Sequence, residues 1–358
     1  MTTPTLPGDA DTMDFTSDNV HGASAEILAS LTAANEGAKT SYGGDDLTHL
    51  LRARMSEVFE RDVAVFPVVS GTAANALALA TLVPPHGAVV CHAEAHIAVD
   101  ECGAPEFFTH GAKLVTIDGA DGKITAAAAA EALARLPVGV VHHVQPSAIS
   151  IAQSTERGTC YAPSEIAAFA DLARARKMKL HMDGARFANA IAHLGCSPAD
   201  ATWRAGVDVL SFGATKNGAL CAEAVVFFNP EDVADFEYRR KKSGHLVSKM
   251  RFLSAQLLAC MEDDRWLRSA RHANAAASRL AHGLAGVKGV DIVHPVEANA
   301  VLARVAVGTA KRLRAGGARF YDWAPSGDGH TIIRLVCSFA TAHEDVTKFV
   351  HIAATGAP

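Results

Sequence analysis

Apolar runs too short to be helices recur along the first two-thirds of this chain, each ending in a turn. Segments 63–69, 88–91, 112–117, 148–151, 180–182, 207–212 and 224–228 read as strands. Segments 72–82, 125–136 and 164–177 read as helices between them. Strands this uniformly apolar are buried on both faces. Their alternation with helices calls for an α/β fold, a mainly parallel, doubly wound sheet covered on both sides. Ligands of such a sheet bind beyond the carboxyl ends of its strands.

After about Glu262 the pattern changes. A long helical stretch, 266–284, leads into short β-like pieces at 291–294, 300–305 and 332–337. A smaller α+β C-terminal domain is expected over 263–358, behind an N-terminal arm and a large domain over 14–262. Residues 1–13 are polar, without a basic or apolar leader pattern, and read as a disordered tail.

Lysine plus arginine number 33 against 38 acids, a net charge of −5. This lacks the basic footprint of a nucleic-acid binder. No apolar run reaches membrane-spanning length. Seven cysteines are scattered without a CxxC pair, as reduced thiols in a cytoplasmic protein would be. His92 and His96 stand four apart, but not as HExxH, so no metal site is expected.

Two strand ends carry the chemistry. The run 180–182 stops at Asp183-Gly184-Ala185-Arg186, and the run 207–212 stops in a small-residue loop holding Lys216. An aspartate in such a place is commonly a helix cap or turn former. With a lysine at a later strand end, it forms the pair that pyridoxal phosphate (PLP) enzymes need. The lysine makes the Schiff base, and the carboxylate keeps the pyridine nitrogen protonated, so the ring becomes an electron sink. Ser70-Gly71-Thr72-Ala73-Ala74-Asn75 joins a strand to a helix and can cradle a phosphate on unpaired N–H groups. It is neither GxxxxGK[ST] nor GxGxxG. Arg186 and Arg334 are candidates for a substrate carboxylate. Arg334 lies inside an apolar run, where it needs a partner, either an internal acid or an anionic ligand.

Several further motifs occur in order: Phe15-Thr16-Ser17-Asp18-Asn19, Tyr42-Gly43-Gly44-Asp45-Asp46, Glu101-Cys102-Gly103-Ala104-Pro105-Glu106 and Ser248-Lys249-Met250-Arg251-Phe252. With the segments above they resemble the low-specificity L-threonine aldolases and phenylserine aldolases, PLP enzymes of the aspartate-aminotransferase-like fold type I. The resemblance covers the chain from about Asp14 onward. It implies Lys216 as the Schiff-base lysine, Asp183 at the pyridine nitrogen and His96 stacked on the ring. It further implies Gly71, Thr72 and Ala73 at the phosphate, with Gln153 and Arg186 also against the cofactor. Ser17, Arg186 and Arg334 would hold the substrate carboxylate, and His142 would approach the substrate hydroxyl. Tyr42 would enter from a neighbouring subunit, and Lys249 or Arg251 would reach a neighbour's phosphate, in a homo-oligomer built as a dimer of dimers with shared sites.

The implied reaction is retro-aldol cleavage of a small-molecule L-β-hydroxy-α-amino acid to glycine and an aldehyde, with His142 or His96 as base. Thr16, Ala152-Gln153 and Thr215-Lys216-Asn217 depart from the commoner threonine aldolase pattern and match a branch that includes phenylserine-cleaving enzymes. Rival readings are transamination or β-elimination on the same fold, and a phosphate- or nucleotide-binding protein without catalysis.

Overall fold

A computed structural model describes residues 12–233, 235–325 and 327–355. It opens on a short strand β1 (Met13–Asp14) and two helices, α1 (Ala25–Ala34) and α2 (Asp46–Val58). Alternation then begins with β2 (Ala64–Val68), α3 (Gly71–Leu82), β3 (Gly87–His92), the short α4 (His96–Val99) and α5 (Ala104–Phe108), and β4 (Lys113–Ile117). It continues with α6 (Ala126–Ala134), β5 (Gln145–Ala152), α7 (Pro163–Ala175), β6 (Lys179–Gly184), α8 (Phe187–Leu194), β7 (Val209–Gly213) and β8 (Glu223–Phe227).

These strands form one seven-stranded sheet in the order β2-β8-β7-β6-β5-β3-β4. Every pairing is parallel except those of β8, which runs against both β2 and β7. Side chains alternate across the pleat, and the two faces pack into separate cores. Ala224 and Val226 of β8 join the larger core with Leu210, Phe212 and Ile149. Val225 and Phe227 face the other side, with Val68, Val209 and α3. Burial on both faces is why these runs lack polar alternation.

The chain continues through α9 (Phe236–Lys242), α10 (Arg251–Met261) and α11 (Arg265–Ala285). Then come β9 (Val290–Ile292), β10 (Ala300–Ala306), α12 (Val307–Ala315), β11 (Ala318–Arg319), β12 (Tyr321–Pro325), β13 (His330–Val336) and α13 (His343–Thr355). An antiparallel sheet, ordered β12-β13-β10-β9, buries one face under α11 and α13. Helix α11 serves both cores: Trp266 and Ala270 pack into the first, Ala276 and Leu280 into the second.

Met13 corrects the expected tail. It pairs with Ala318 and is 1% exposed, and Phe15 is fully buried in the same C-terminal core. The physical reason is their two-residue spacing, which turns both apolar side chains to one face. Of the rest of the expected tail, residues 1–11 lie outside the described residues. Helices α1, α2 and α8 were not read from the sequence. The third directly follows a strand end.

Candidate active site

At the carboxyl ends of β5, β6 and β7, facing the N-terminus of α3, lies a cavity of about 540 Å³. Ser70, Gly71, Thr72, Asn75, His96, Glu156, Asp183, Lys216 and Glu223 line it. Asp183 closes β6, and Lys216 follows β7 in a single 3₁₀ turn, Thr215–Asn217. Residues 33 apart in sequence are neighbours because β6 and β7 are adjacent parallel strands that end together.

A chain of four side chains runs from Asp183 to the imidazole. Asn75 Nδ2 donates to Asp183 Oδ2 at 2.8 Å and to Glu101 Oε1 at 2.8 Å. The same Glu101 oxygen meets His96 Nδ1 at 2.8 Å. The second Asp183 oxygen accepts the Ala185 N–H at 3.0 Å. The bond to Glu101 raises the His96 pKa above its ordinary value, against burial. Burial raises that of Glu101. Behind Asp183, His181 is fully buried between Ser150 Oγ (2.8 Å) and Ser211 Oγ (3.1 Å). Burial pushes its pKa down to about 4, so it stays neutral.

Glu223, the first residue of β8, stands opposite Gly213 of β7 and Val68 of β2 and accepts the Ala214 N–H at 3.1 Å. Burial raises its pKa from 4.5 to about 7, although Thr215 and Lys216 pull the other way. Between those values the folded chain keeps a proton that the unfolded chain has released, so stability falls as pH rises through the window. Glu223→Gln is therefore expected to outlast the native chain in urea at about pH 8, by on the order of 3 kcal/mol, and to lose that advantage at about pH 4. Equal pH profiles for the two proteins would refute this.

Arg186 and Asp18 form a buried fork, Nε to Oδ2 at 2.7 Å and Nη2 to Oδ1 at 3.0 Å. Asn299, next to β10, adds a bond to Asp18 Oδ2 at 3.0 Å. Because β1 is stitched into the C-terminal core, Asp18 meets Arg186 from that side, while the Ser17 hydroxyl accepts the Asn19 N–H at 3.1 Å and does not line the cavity. Arg334, on β13, has its guanidinium 5.3 Å from the Trp323 ring centre, and its buried Nε has no partner among the described residues. Burial, then the neighbouring Arg186 charge, lowers its pKa.

Three expected site residues do not border the cavity of the chain itself. Both ends of the Gln153 amide are spent on Tyr161, with Nε2 donating to its carbonyl at 2.8 Å and Oε1 accepting its N–H at 2.9 Å. This buried residue holds the backbone of the strand end. His142 is exposed in the loop before β5, at the end of that strand remote from the cavity. The eight residues of β5 put about 26 Å between them. Ala73 donates its N–H to the Ser70 hydroxyl at 3.2 Å, which leaves Ser70, Gly71 and Thr72 as the part of the turn that borders the cavity.

Other residues stand away from the cavity. Tyr42 is 50% exposed, with Lys241 Nζ 4.5 Å from its ring centre. Lys249 is exposed, and Arg251 Nη1 donates to the Gly37 carbonyl at 2.9 Å. His92 is satisfied locally, by the Gly119 carbonyl at 3.2 Å and the Glu94 N–H at 3.0 Å. Glu101, Glu156 and Glu223 carry no role in the sequence alone, and Asn75 enters there only as the end of the phosphate turn. Glu223 had a legible signal, an acid abutting an apolar run, as Asp183 does. Glu156 had none.

The residues present fit PLP. A Cβ built on Gly71 would meet nothing within 4 Å, so the helix N-terminus opens onto free space of the kind a phosphate needs. Asn75 Oδ1 and Glu101 Oε2 are buried without partners among the described residues, and a lysine and a carboxylate border the same space.

Comparison with known proteins agrees. The profile of the beta-eliminating lyases matches residues 14–307. The low-specificity L-threonine aldolase of Pseudomonas aeruginosa is 44% identical over 94% of this chain and 96% of its own length. The solved threonine aldolase of Leishmania major superposes with a TM-score of 0.90 at 28% identity, covering 95% of this chain and 98% of the other. Sphingomonas wittichii serine palmitoyltransferase shares the fold, with a TM-score of 0.72 at 13% identity over 96% of this chain and 86% of the other. The chain thus belongs to the beta-eliminating lyase family of PLP-dependent, fold type I enzymes, alongside the low-specificity L-threonine aldolases.

Proposed function

We infer that the chain is a carbon–carbon lyase that cleaves L-β-hydroxy-α-amino acids to glycine and an aldehyde, and we assign its residues as follows. The observation that carries the assignment is one cavity bordered by both Lys216 and Asp183, with the buried Arg186 under the influence of that aspartate and the half-buried Arg334 under that of Arg186. Bound PLP supplies an electron sink that makes a bond at the substrate Cα breakable. Lys216 Nζ would hold it covalently and give it up to the substrate amine. Asp183 would accept the pyridine N–H, held in place by Asn75. Ser70, Gly71 and Thr72 would bind the phosphate, and His96 would cover the ring.

Arg186, Arg334 and Ser17 would hold the substrate carboxylate. Arg334 supports this: it has no ion pair among the described residues, and an anion would offset the cost of its burial. Holding the carboxylate would orient the substrate's Cα bonds and so favour Cα–Cβ cleavage over loss of a proton. Of the two histidines expected near the hydroxyl, only His96 borders the cavity.

The finer reading is an enzyme whose substrates include the phenylserine type beside threonine and allo-threonine. It assembles as a dimer of dimers and works in the cytoplasm. Exposed Leu28, Leu50 and Tyr42 support an assembly face. All seven cysteines are free, as in a reducing compartment.

Purified protein loaded with PLP is expected to release glycine and aldehyde from L-threonine and from L-threo-phenylserine. A keto acid or ammonia in place of glycine would move the assignment to transamination or β-elimination.

A further inference from the structure

Cleavage needs an acceptor for the β-hydroxyl proton, and it must border the cavity. Six titratable side chains do: His21, His96, Glu156, Asp183, Lys216 and Glu223. Asp183 is engaged by Asn75 and the Ala185 N–H, and Glu223 by the Ala214 N–H. Lys216 is assigned to the cofactor. His96 is bonded through Nδ1 to Glu101, a bond that favours its protonated form. His21 is exposed, with Nδ1 on Ser338 Oγ at 2.9 Å.

Glu156 differs from all of these. It is half-buried, and among the described residues its carboxylate has neither hydrogen bond nor ion pair. Its charge supports the cationic forms of His96, Arg186 and Arg334, and it lines the same cavity as His96. A substrate whose carboxylate lies on the arginines and whose amine lies at Lys216 must direct its β-substituents into that space.

The segment carrying Glu156 is rigid. The Thr155 N–H donates to the Thr159 carbonyl at 2.8 Å, and the Gly158 N–H to the Thr155 carbonyl at 2.9 Å. Arg157 is clamped on Glu94 by bonds of 2.7 and 2.6 Å. Gly158 has φ +79°, and a Cβ there would meet Ala300 at 3.1 Å. The turn thus presents Glu156 to the cavity with little freedom, which is what a positioned base requires.

We propose that the Glu156 carboxylate takes the β-hydroxyl proton as the Cα–Cβ bond breaks. The O–H pair becomes the second bond of the aldehyde C=O, and the Cα–Cβ pair stays with Cα, whose protonation gives glycine. Glu156 then returns its proton to solvent. This rests on the aldolase reading and names the group that serves it.

The test uses PLP-loaded Glu156→Gln, with Glu156→Asp as a second variant. Glycine has no β-hydroxyl, so its dissociation constant, followed by the visible spectrum, and its α-proton exchange in D₂O report every part of the site except this step. The Gln variant is expected to lose about 10²-fold or more in kcat for L-threo-phenylserine. KM, glycine affinity and α-proton exchange should stay within about threefold, and Asp should restore part of the rate. An unchanged kcat would overturn the proposal, as would a parallel loss of glycine binding, which would mark Glu156 as structural. A native enzyme that makes no glycine from either substrate would refute the aldolase reading itself and leave the glycine-binding comparison intact.

Discussion

Replacing Lys216 with alanine is expected to lower aldehyde release from L-threonine by on the order of 10⁴-fold or more. The reason is position as much as chemistry. Lys216 lies in the turn after β7, beside Asp183 at the end of the adjacent strand, and among the described residues it is the lysine that lines the cavity. No other amine can take over the covalent link. Borohydride reduction should fix PLP permanently to the native chain and leave the variant's PLP removable by dialysis. The fold should survive, because Lys216 is only partly buried and in none of the apolar cores. A variant that kept most of its rate, or that still trapped PLP on reduction, would remove Lys216 from the mechanism.

The second large effect concerns stability. Asp18 is 1% exposed and depends on Arg186 for two of its hydrogen bonds. Arg186→Ala would leave a buried carboxylate facing Asn299 alone, at a cost of about 3–5 kcal/mol. Burial by itself would raise the Asp18 pKa, but Arg186, Lys216 and Asn299 more than offset it and bring it from 3.8 to about 2. Because the folded value is the lower one, the pair stabilises the fold fully above about pH 4. That contribution, about 2 kcal/mol, is lost as pH falls toward 2. Acid titration of the native chain should therefore steepen below pH 4, and the Arg186→Ala chain should already be weak at neutral pH. A double variant with Asp18→Ala should be less destabilised than the sum of the two single changes. Equal urea midpoints for native and Arg186→Ala would sink the argument.

Arg186 also shows where site geometry departs from motif reading. The motif places an arginine three residues after the aspartate, and it implied a free fork for a substrate. In the folded chain that fork already grips Asp18, so Arg186 positions the N-terminal segment as well as facing the site. Arg334 is the guanidinium left without a carboxylate. The difference is invisible in sequence because Asp18 and Arg186 are 168 residues apart and meet only once β1 has docked on the C-terminal core.

Folding likewise decides which expected residues border the cavity. Gln153 is next to the correct strand end, but its amide is drawn inward to Tyr161, whereas Glu156, three residues on, turns into the cavity. His142 lies at the opposite end of the same strand, β5. Composition does not distinguish the two ends of a strand unless its direction and length are known.

What the sequence determined by itself was set by short-range physics. Uniformly apolar runs between helices require a sheet buried on both faces, and Asp183 and Lys216 at two run ends require a ligand at its carboxyl edge. Tertiary structure decided which side chains meet there. Glu101, Glu156, Glu223 and Asp18 come from four separate segments, and only the packing of those segments fixes their distances. It also shifted the pKa values of Glu101, Glu223 and Asp18, because a buried carboxylate responds to desolvation and neighbours, neither of which exists before the chain has folded.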